Sequence, residues 1–530
     1  MGQNGEEERR HGPAARHERE SGMKTAMVAA AVVGMVAWGT AAFGASDAEV
    51  AGDFMENFRM LAAVPRPSQH EKAIADTLQS WAEGMGFEVK RNGADDLVFD
   101  VPATAGLEGL PLVALQAHMD MVCVAAEGKA YDPLADPIEL VLDEEAGTLT
   151  ADGTSLGADD GAGVAMIMSI AKGLMAHGPL RVIFTSDEEV DMTGVSALGK
   201  EDVAGVKYLV NIDSEASDAV TISSAADADI VATAEPQMVP VAEGTETLAV
   251  SISGLRGGHS GVEIGEGRCN GIKALASVLF FMGGWGGVPF ELASLEGGTA
   301  DNAIPAKARA VVVVEAGERK RVEEYVAWRE QGLREAFAGK DDGVTLSVEM
   351  AKPASEVFEP FLAKRIIDYV HGAKDGVNTM SAEVEGLVES SCNLGIISAG
   401  PGGVEIRQMA RSSVGARLEE IVAHQRFVGE GSGMSVEVTP GSKPWPVKAD
   451  SVLLEKVREA YRELNGEEMK VVALHAGLEC GAFAELSGDL DMVSIGPDLK
   501  GVHSPAETLY LQSIPKTWRL LEKVLPELGE

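Results

Sequence analysis

Three apolar runs constrain the fold of this chain more than any other feature: LPLVALQA at 110–117, LRVIFTS at 180–186 and YLVNID at 208–213. Each reads as a buried strand, and helix-like stretches separate them. Strands alternating with helices imply a largely parallel sheet covered by helices on both faces. In such sheets, sites form at the loops that leave the carboxyl ends of the strands. Upstream, the spacing of Phe54, Phe58, Met60, Leu61, Ile74, Leu78 and Trp81 predicts helical segments interrupted by PRPSQH.

The texture changes after about residue 235. ETLAVSISGL, ARAVVVVEAG and VTLSVEMA alternate apolar and polar residues, the pattern of antiparallel strands with one wet face. From residue 441, KPWPV leads into a helical run, LLEKVREAYREL, and then strand-like VVAL and DMVSIG. The expected layout is therefore a charged prefix and leader at 1–45, a first catalytic segment at 46–236, an inserted α+β domain at 237–440, and a second catalytic segment at 441–530. At 530 residues, more than one domain is the ordinary expectation.

A formal net charge of -39 argues against nucleic acid as a partner, because most faces would repel phosphate. Cys123, Cys269, Cys392 and Cys480 are widely spaced and include no CxxC pair, so neither a disulfide framework nor a thiolate zinc site is expected. Residues 1–22 are polar and charged. Met23-Lys24 then opens an uncharged stretch, TAMVAAAVVGMVAWGTAAFGA, that ends in small residues, the layout of a secretory signal peptide. A cut after Gly44 or Ala45 fits, and a start at Met23 would explain the prefix. Export to the periplasm or outside the cell follows if the leader is cleaved; an uncleaved anchor and a cytoplasmic protein with a silent leader are the alternatives.

The chemistry-bearing residues stand where the strands end. In LVALQAHMDMV, His118 and Asp120 are two apart and share a face, so His118 can bind a metal while Asp120 fixes its ring. In SLGADDGAGVAM, Asp159 sits in a Gly-flanked acidic turn that opens a helix, and one such carboxylate can bridge two ions. FTSDEEVDMTG ends in consecutive acids whose side chains diverge, so Glu189 can ligate while Glu188 faces the substrate as a general base. Asp213 ends a strand too apolar to carry a carboxylate without a partner. His503 lies in a loop before a helix. Imidazoles and carboxylates suit zinc-like ions, and a bridging carboxylate holds two of them roughly 3.5–4 Å apart. The five residues His118, Asp159, Glu189, Asp213 and His503 therefore read as the ligands of a two-metal hydrolase.

The order HMD, GADDGAG, SDEE, NIDSE and GVHSP resembles the co-catalytic zinc peptidases that include aminoacylases and glutamate carboxypeptidases, and within them the aminoacyl-histidine dipeptidase branch. GLRGGHSGVEI, EGGTADNAIP, ARSSVGAR, HAGLECGAF and GPDLKGVHSPAE extend the resemblance from residue 54 to the end. It implies that His118, Asp159 and Asp213 hold one zinc and that Asp159, Glu189 and His503 hold the other; cobalt or manganese would also suit these ligands. It further implies Glu188 as general base, Asp120 as the residue that steadies His118, and the inserted domain as a lid. From that domain His259 would stabilise the oxyanion. Asn302 and Arg411 would bind the peptide backbone or its terminal carboxylate, and His475 and Glu479 the amino-terminal side.

The implied substrate is a dipeptide, Xaa-His among them, with a homodimer as a further possibility and no lasting membrane partner after leader cleavage. A deacylase or carboxypeptidase of N-acyl amino acids is the nearest rival, and a non-catalytic peptide- or metal-binding protein the more distant one. Asp191 departs from the family pattern, which has glycine there, and the export signal departs from a branch that is usually cytoplasmic. His70, His177, His371 and His424 lack partners at ligand spacing and receive no role.

Overall fold

The computed structural model describes residues 45–529 apart from 285, 383 and 385. The leader and its cleavage position at Gly44 fall outside the described residues. Among those described, no helix is long and apolar enough to cross a membrane.

The chain forms two compact units. Among the described residues, the first takes in the chain up to Val220, Val452–Lys470 and the stretch from Asp491 on; the second comprises Thr221–Ser451 and Val471–Leu490. Residues 471–490 group with the second unit, while their strand belongs to the same eight-stranded sheet as Asp491–Ser494. The strand Lys470–Leu474 opens this stretch.

In the first unit, Leu180–Thr185, Leu112–His118, Val206–Asn211 and Asp491–Ser494 lie side by side and parallel. The strands Leu97–Val101 and Lys90–Arg91 extend one edge antiparallel, an addition that the apolar runs did not signal. Helices Asp47–Ala62, Lys72–Gly84, Ala158–Ala171, Val452–Asn465 and Ser513–Val524 complete the layers. Ser46 starts the first of these with a reciprocal capping box to Glu49. Helix Ala158–Ala171 is buried along nearly its whole length, as its Ala-, Met- and Ile-rich sequence demands. The central strands are buried almost throughout, so they are apolar until their carboxyl ends. A small antiparallel sheet of Leu499–Lys500, Thr508–Tyr510, Thr148–Ala151 and Leu140–Asp143 lies in the same unit.

The second unit is α+β, built on an antiparallel sheet. Its strands run in the order Thr345–Met350, Thr245–Ser253, Ala308–Glu315, Glu291–Gly297, Val388–Gly400, Gly403–Ser412, Ala226–Ala234 and Ser435–Pro440. Helices Gly271–Gly283, Arg319–Ala336 and Pro360–Gly372 bury their apolar faces in one large core with this sheet. The alternating segments of the sequence coincide with these strands. Cys269, Cys392 and Cys480 are buried and Cys123 half-buried, and none of the four is joined in a disulfide.

Candidate metal centre

The fold gathers seven sequence-selected residues at one end of the first unit's sheet. His118 is the last residue of its strand and is buried. Glu188 and Glu189 follow Leu180–Thr185, and Asp213 follows Val206–Asn211. Asp159 stands in the first turn of helix Ala158–Ala171, and His503 in the loop between Leu499–Lys500 and Thr508–Tyr510.

Asp159 is the hinge of the arrangement. Its Oδ1 lies 3.2 Å from His118 Nε2 and its Oδ2 lies 3.2 Å from His503 Nε2. Asp213 Oδ1 is 3.5 Å from His118 Nε2, and Glu189 Oε2 is 2.8 Å from His503 Nε2. Three groups of ligand atoms lie within reach of one ion each: His118–Asp159–Asp213 and Asp159–Glu189–His503, which share one carboxylate, and His118–Glu188–Glu189. Glu188 Oε2 stands 3.9 Å from His118 Nε2.

Asp120 organises this set from behind. It lies 3.4 Å from His118 Nδ1, accepts the backbone N–H of Glu188 at 3.1 Å and of Glu189 at 3.2 Å, and accepts Ser68 Oγ at 2.8 Å. One buried carboxylate thus orients the imidazole and both glutamates. Ser68 belongs to the interrupting PRPSQH segment, whose contribution the sequence reading did not foresee.

The electrostatics are those of concentrated, desolvated negative charge. Burial pushes Asp213 up to about 7, with Asp159 and Glu189 adding to the rise against the opposing pull of His118. Hydrogen bonds that Asp159 and Glu189 accept from its ring carry His503 up to about 11. Burial opposes protonation of His118, but Asp213, Asp120 and Asp159 outweigh it and raise that pKa well above the usual histidine value. Asp159 goes the other way: burial would raise it, and the two histidines overcome that and lower it.

The donor set fits divalent cations. Among the described residues, the ion pairs of Asp159, Asp213 and Glu189 are all with the two histidines, without a lysine or arginine. Glu189 Oε1 is buried with no hydrogen-bond partner there. Buried carboxylates in such number require compensating positive charge, and imidazole nitrogens with carboxylate oxygens are the ligands that zinc-like ions take.

Three further residues support the centre without having been singled out. Asp160, next to the bridging carboxylate, accepts the backbone N–H of His118 at 3.3 Å and of Gly163 at 3.0 Å. Glu507 and Arg66 hold the Asp159 turn. Their signal is faint: Glu507 lies in the GVHSPAE motif four residues past His503, and Arg66 in the PRPSQH interruption.

The second unit collects a different group. Arg411 is 7 % exposed and lies near Asp227, Asp229 and Asp301. His475 Nε2 pairs with Ser391 Oγ at 2.7 Å. His259 accepts the Gly261 N–H on Nδ1 at 3.2 Å, which leaves Nε2 as the protonated, donating nitrogen of the neutral ring. The Asn302 carbonyl accepts Ser260 N–H, placing Asn302 beside His259, and Glu479 is fully buried. Asp191 is exposed and accepts Gln69 Nε2 at 3.2 Å. His177 bonds the Gly178 carbonyl and His371 stacks on Phe280, while His70 and His424 contact backbone carbonyls.

Shared carboxylate, paired histidines and strand-end placement define a metallohydrolase. The model of Peptidase family M20/M25/M40 matches residues 114–527, and the chain belongs to that family; it is a metallopeptidase. It is 32% identical over 472 residues to the cytosol non-specific dipeptidase of Escherichia coli, a match covering 89% of this chain and 96% of that one. Its structure matches aminoacylhistidine dipeptidase from Vibrio alginolyticus with a TM-score of 0.85 and 32% identity, over 90% of this chain and 97% of that one. An aminopeptidase from Bacillus cereus, 16% identical with a TM-score of 0.51 over 91% and 99%, shares the fold.

Proposed function

We propose that this metallodipeptidase hydrolyses dipeptides, aminoacyl-histidine among them, by attack of a water whose proton Glu188 accepts. The observation that carries the reading is the single carboxylate, Asp159, turned with one oxygen toward each of two histidines, with Glu188 alongside. His118, Asp159 and Asp213 would hold one divalent ion and Asp159, Glu189 and His503 the other. Zinc suits these ligands best, with cobalt or manganese as substitutes. When bound, such ions supply Lewis acidity toward the peptide carbonyl and lower the pKa of water.

The remaining chemistry belongs to the chain's side chains. Glu188 takes the proton from the attacking water and returns it to the departing amine. Its backbone N–H is tied to Asp120, so its direction is set before substrate arrives. Asp120 keeps the Nδ1 side of His118 engaged and leaves Nε2 turned to the centre. The neutral His259 donates from Nε2 to the carbonyl oxygen as negative charge develops there. Arg411 supplies a guanidinium for the peptide carboxylate, with Asn302 beside the backbone and His475 and Glu479 toward the amino-terminal side. The leader supports export, and amino-terminal sequencing of protein from an extracytoplasmic fraction should begin at Ala45 or Ser46.

The test is a substrate panel on chelator-stripped protein given zinc, cobalt or manganese: Ala-His, Gly-His and carnosine beside N-acetyl amino acids. Metal-dependent cleavage of dipeptides is expected. Cleavage of the acyl amino acids alone would transfer the chain to the deacylases, and silence with every metal would sink the enzymatic reading.

A further inference from the structure

The turn that carries Asp159 is gripped from two sides by buried charges outside the ligand set. Glu507, 2 % exposed, accepts four consecutive backbone N–H groups. Its Oε2 takes Leu156 at 2.7 Å and Gly157 at 2.9 Å; its Oε1 takes Ala158 at 2.7 Å and Asp159 at 3.2 Å. Arg66, also 2 % exposed, donates Nη1 to the carbonyls of Met119 at 2.9 Å and Asp120 at 3.0 Å, and Nη2 to the carbonyl of Gly157. Both charged groups therefore hold the peptide groups of Gly157.

Asp159 and Asp160 are non-helical, and the helix beyond them is capped locally, Asp160 Oδ1 accepting Gly163 N–H at 3.0 Å. The four N–H groups ahead of that cap lie in the turn, where Gly157, at φ 69°, has no side chain to offer and a Cβ on it would come within 2.5 Å of Arg66 Nη2. Their acceptor comes instead from Glu507, in the loop that bears His503. That loop joins a histidine of the second triad to the backbone of the shared carboxylate. Asp159 stands 3.2 Å from each histidine, so a small rotation of its turn would favour one triad at the expense of the other.

We propose that Glu507 and Arg66 form a positioning clamp that keeps Asp159 shared between the two triads, so that occupancy of the Asp159–Glu189–His503 site depends on it. The proposal deepens the two-cation reading above and rests on it. Glu507→Gln is the informative variant: it keeps the shape but offers one acceptor oxygen, and its NH2 opposes the remaining N–H groups. Asp202→Asn is the control for a plain loss of stability, since Asp202 is buried, accepts Gly199 N–H and pairs with Lys90 away from the centre.

Zinc titration of the stripped proteins by calorimetry should give two equivalents for the wild type and for D202N. In E507Q the first step should stay within about threefold while the second weakens by about 10–100-fold, the usual cost of losing a residue that orients ligands. kcat should fall at limiting zinc and recover with excess, with KM nearly constant. Cobalt should mirror this, the visible absorption of E507Q showing one tight and one weak site. If E507Q does not fold, Arg66→Lys, which keeps the charge but loses the fork, should show the same second-site defect. Wild-type stepwise affinities in E507Q, or an equal second-site loss in D202N, would overturn the clamp. A wild type that binds one ion would overturn the two-cation reading itself, and the clamp with it.

Discussion

The two units place histidines in opposite electrostatic settings. In the first, carboxylates crowd His118 and His503 and raise both pKa values. In the second, burial depresses His475 to about 4, and the Arg411 guanidinium adds to that; His259 is lowered for the same two reasons. The same residue type is thus held in an anionic basin in one place and beside a buried cation in the other. An anionic basin of imidazoles and carboxylates invites metal ions. A buried guanidinium with neutral, donating imidazoles invites an anion, such as a peptide carboxylate or a developing oxyanion.

The sharpest way to break this division of labour is to remove the base from the anionic basin while leaving its ligands. Glu188→Ala should lower kcat by about 10³–10⁴-fold, the upper range for a positioned general base, while two zinc ions remain bound. Retention of full activity with metal in place would remove Glu188 from the mechanism. Asp120→Asn should cost less, about 10–100-fold, because it disturbs orientation only. Its loss should appear in zinc affinity as well as in kcat, since Asp120 serves His118, Glu188 and Glu189 together. A variant with unchanged zinc affinity would show that the backbone holds the glutamates without help.

The anionic centre was largely legible in the sequence and its support was not, for a physical reason. His118, Asp159, Glu189 and Asp213 each follow an apolar run or a Gly-flanked turn, so their local setting alone marks them as polar groups at the ends of buried elements. Arg66, Asp160 and Glu507 act on backbone groups instead, and a side chain that bonds to N–H or C=O leaves no trace in its partner's identity. Gly157 is the exception, since its lack of a Cβ is what admits Arg66. The same limit applies to the fold. Apolar runs revealed the parallel strands, whereas the antiparallel edge strands Leu97–Val101 and Lys90–Arg91 are too short to stand out in the sequence.

On the other side of the comparison, Arg411→Lys tests the anion-receptive group. Lysine keeps the charge but loses the planar fork, so kcat/KM for dipeptides should fall about tenfold, mostly through KM, consistent with losing one charged hydrogen bond. Dipeptides whose terminal carboxyl is amidated should be poor substrates of the wild type and should lose little further in the variant. If amidated and free dipeptides are affected alike, Arg411 does not read the carboxylate.

The smallest effect concerns stability and follows from His475. Its folded pKa, about 4, lies below the ordinary histidine value, so between those two values the unfolded chain takes up a proton that the folded chain refuses. The stability associated with neutral His475 is therefore complete above about pH 6.5 and is lost as pH falls toward 4, on the order of 1–3 kcal/mol. The centre's own groups titrate over the same range, so the wild-type curve alone does not isolate this contribution. His475→Gln removes it: glutamine stays neutral and can still bond Ser391 Oγ. The difference in unfolding free energy between wild type and variant, measured by denaturant titration at pH 7.5, 6, 5 and 4.5, should shift steadily in favour of the variant as pH drops. A constant difference across that series would mean that His475 titrates normally in the folded protein and that Arg411 does not press on it.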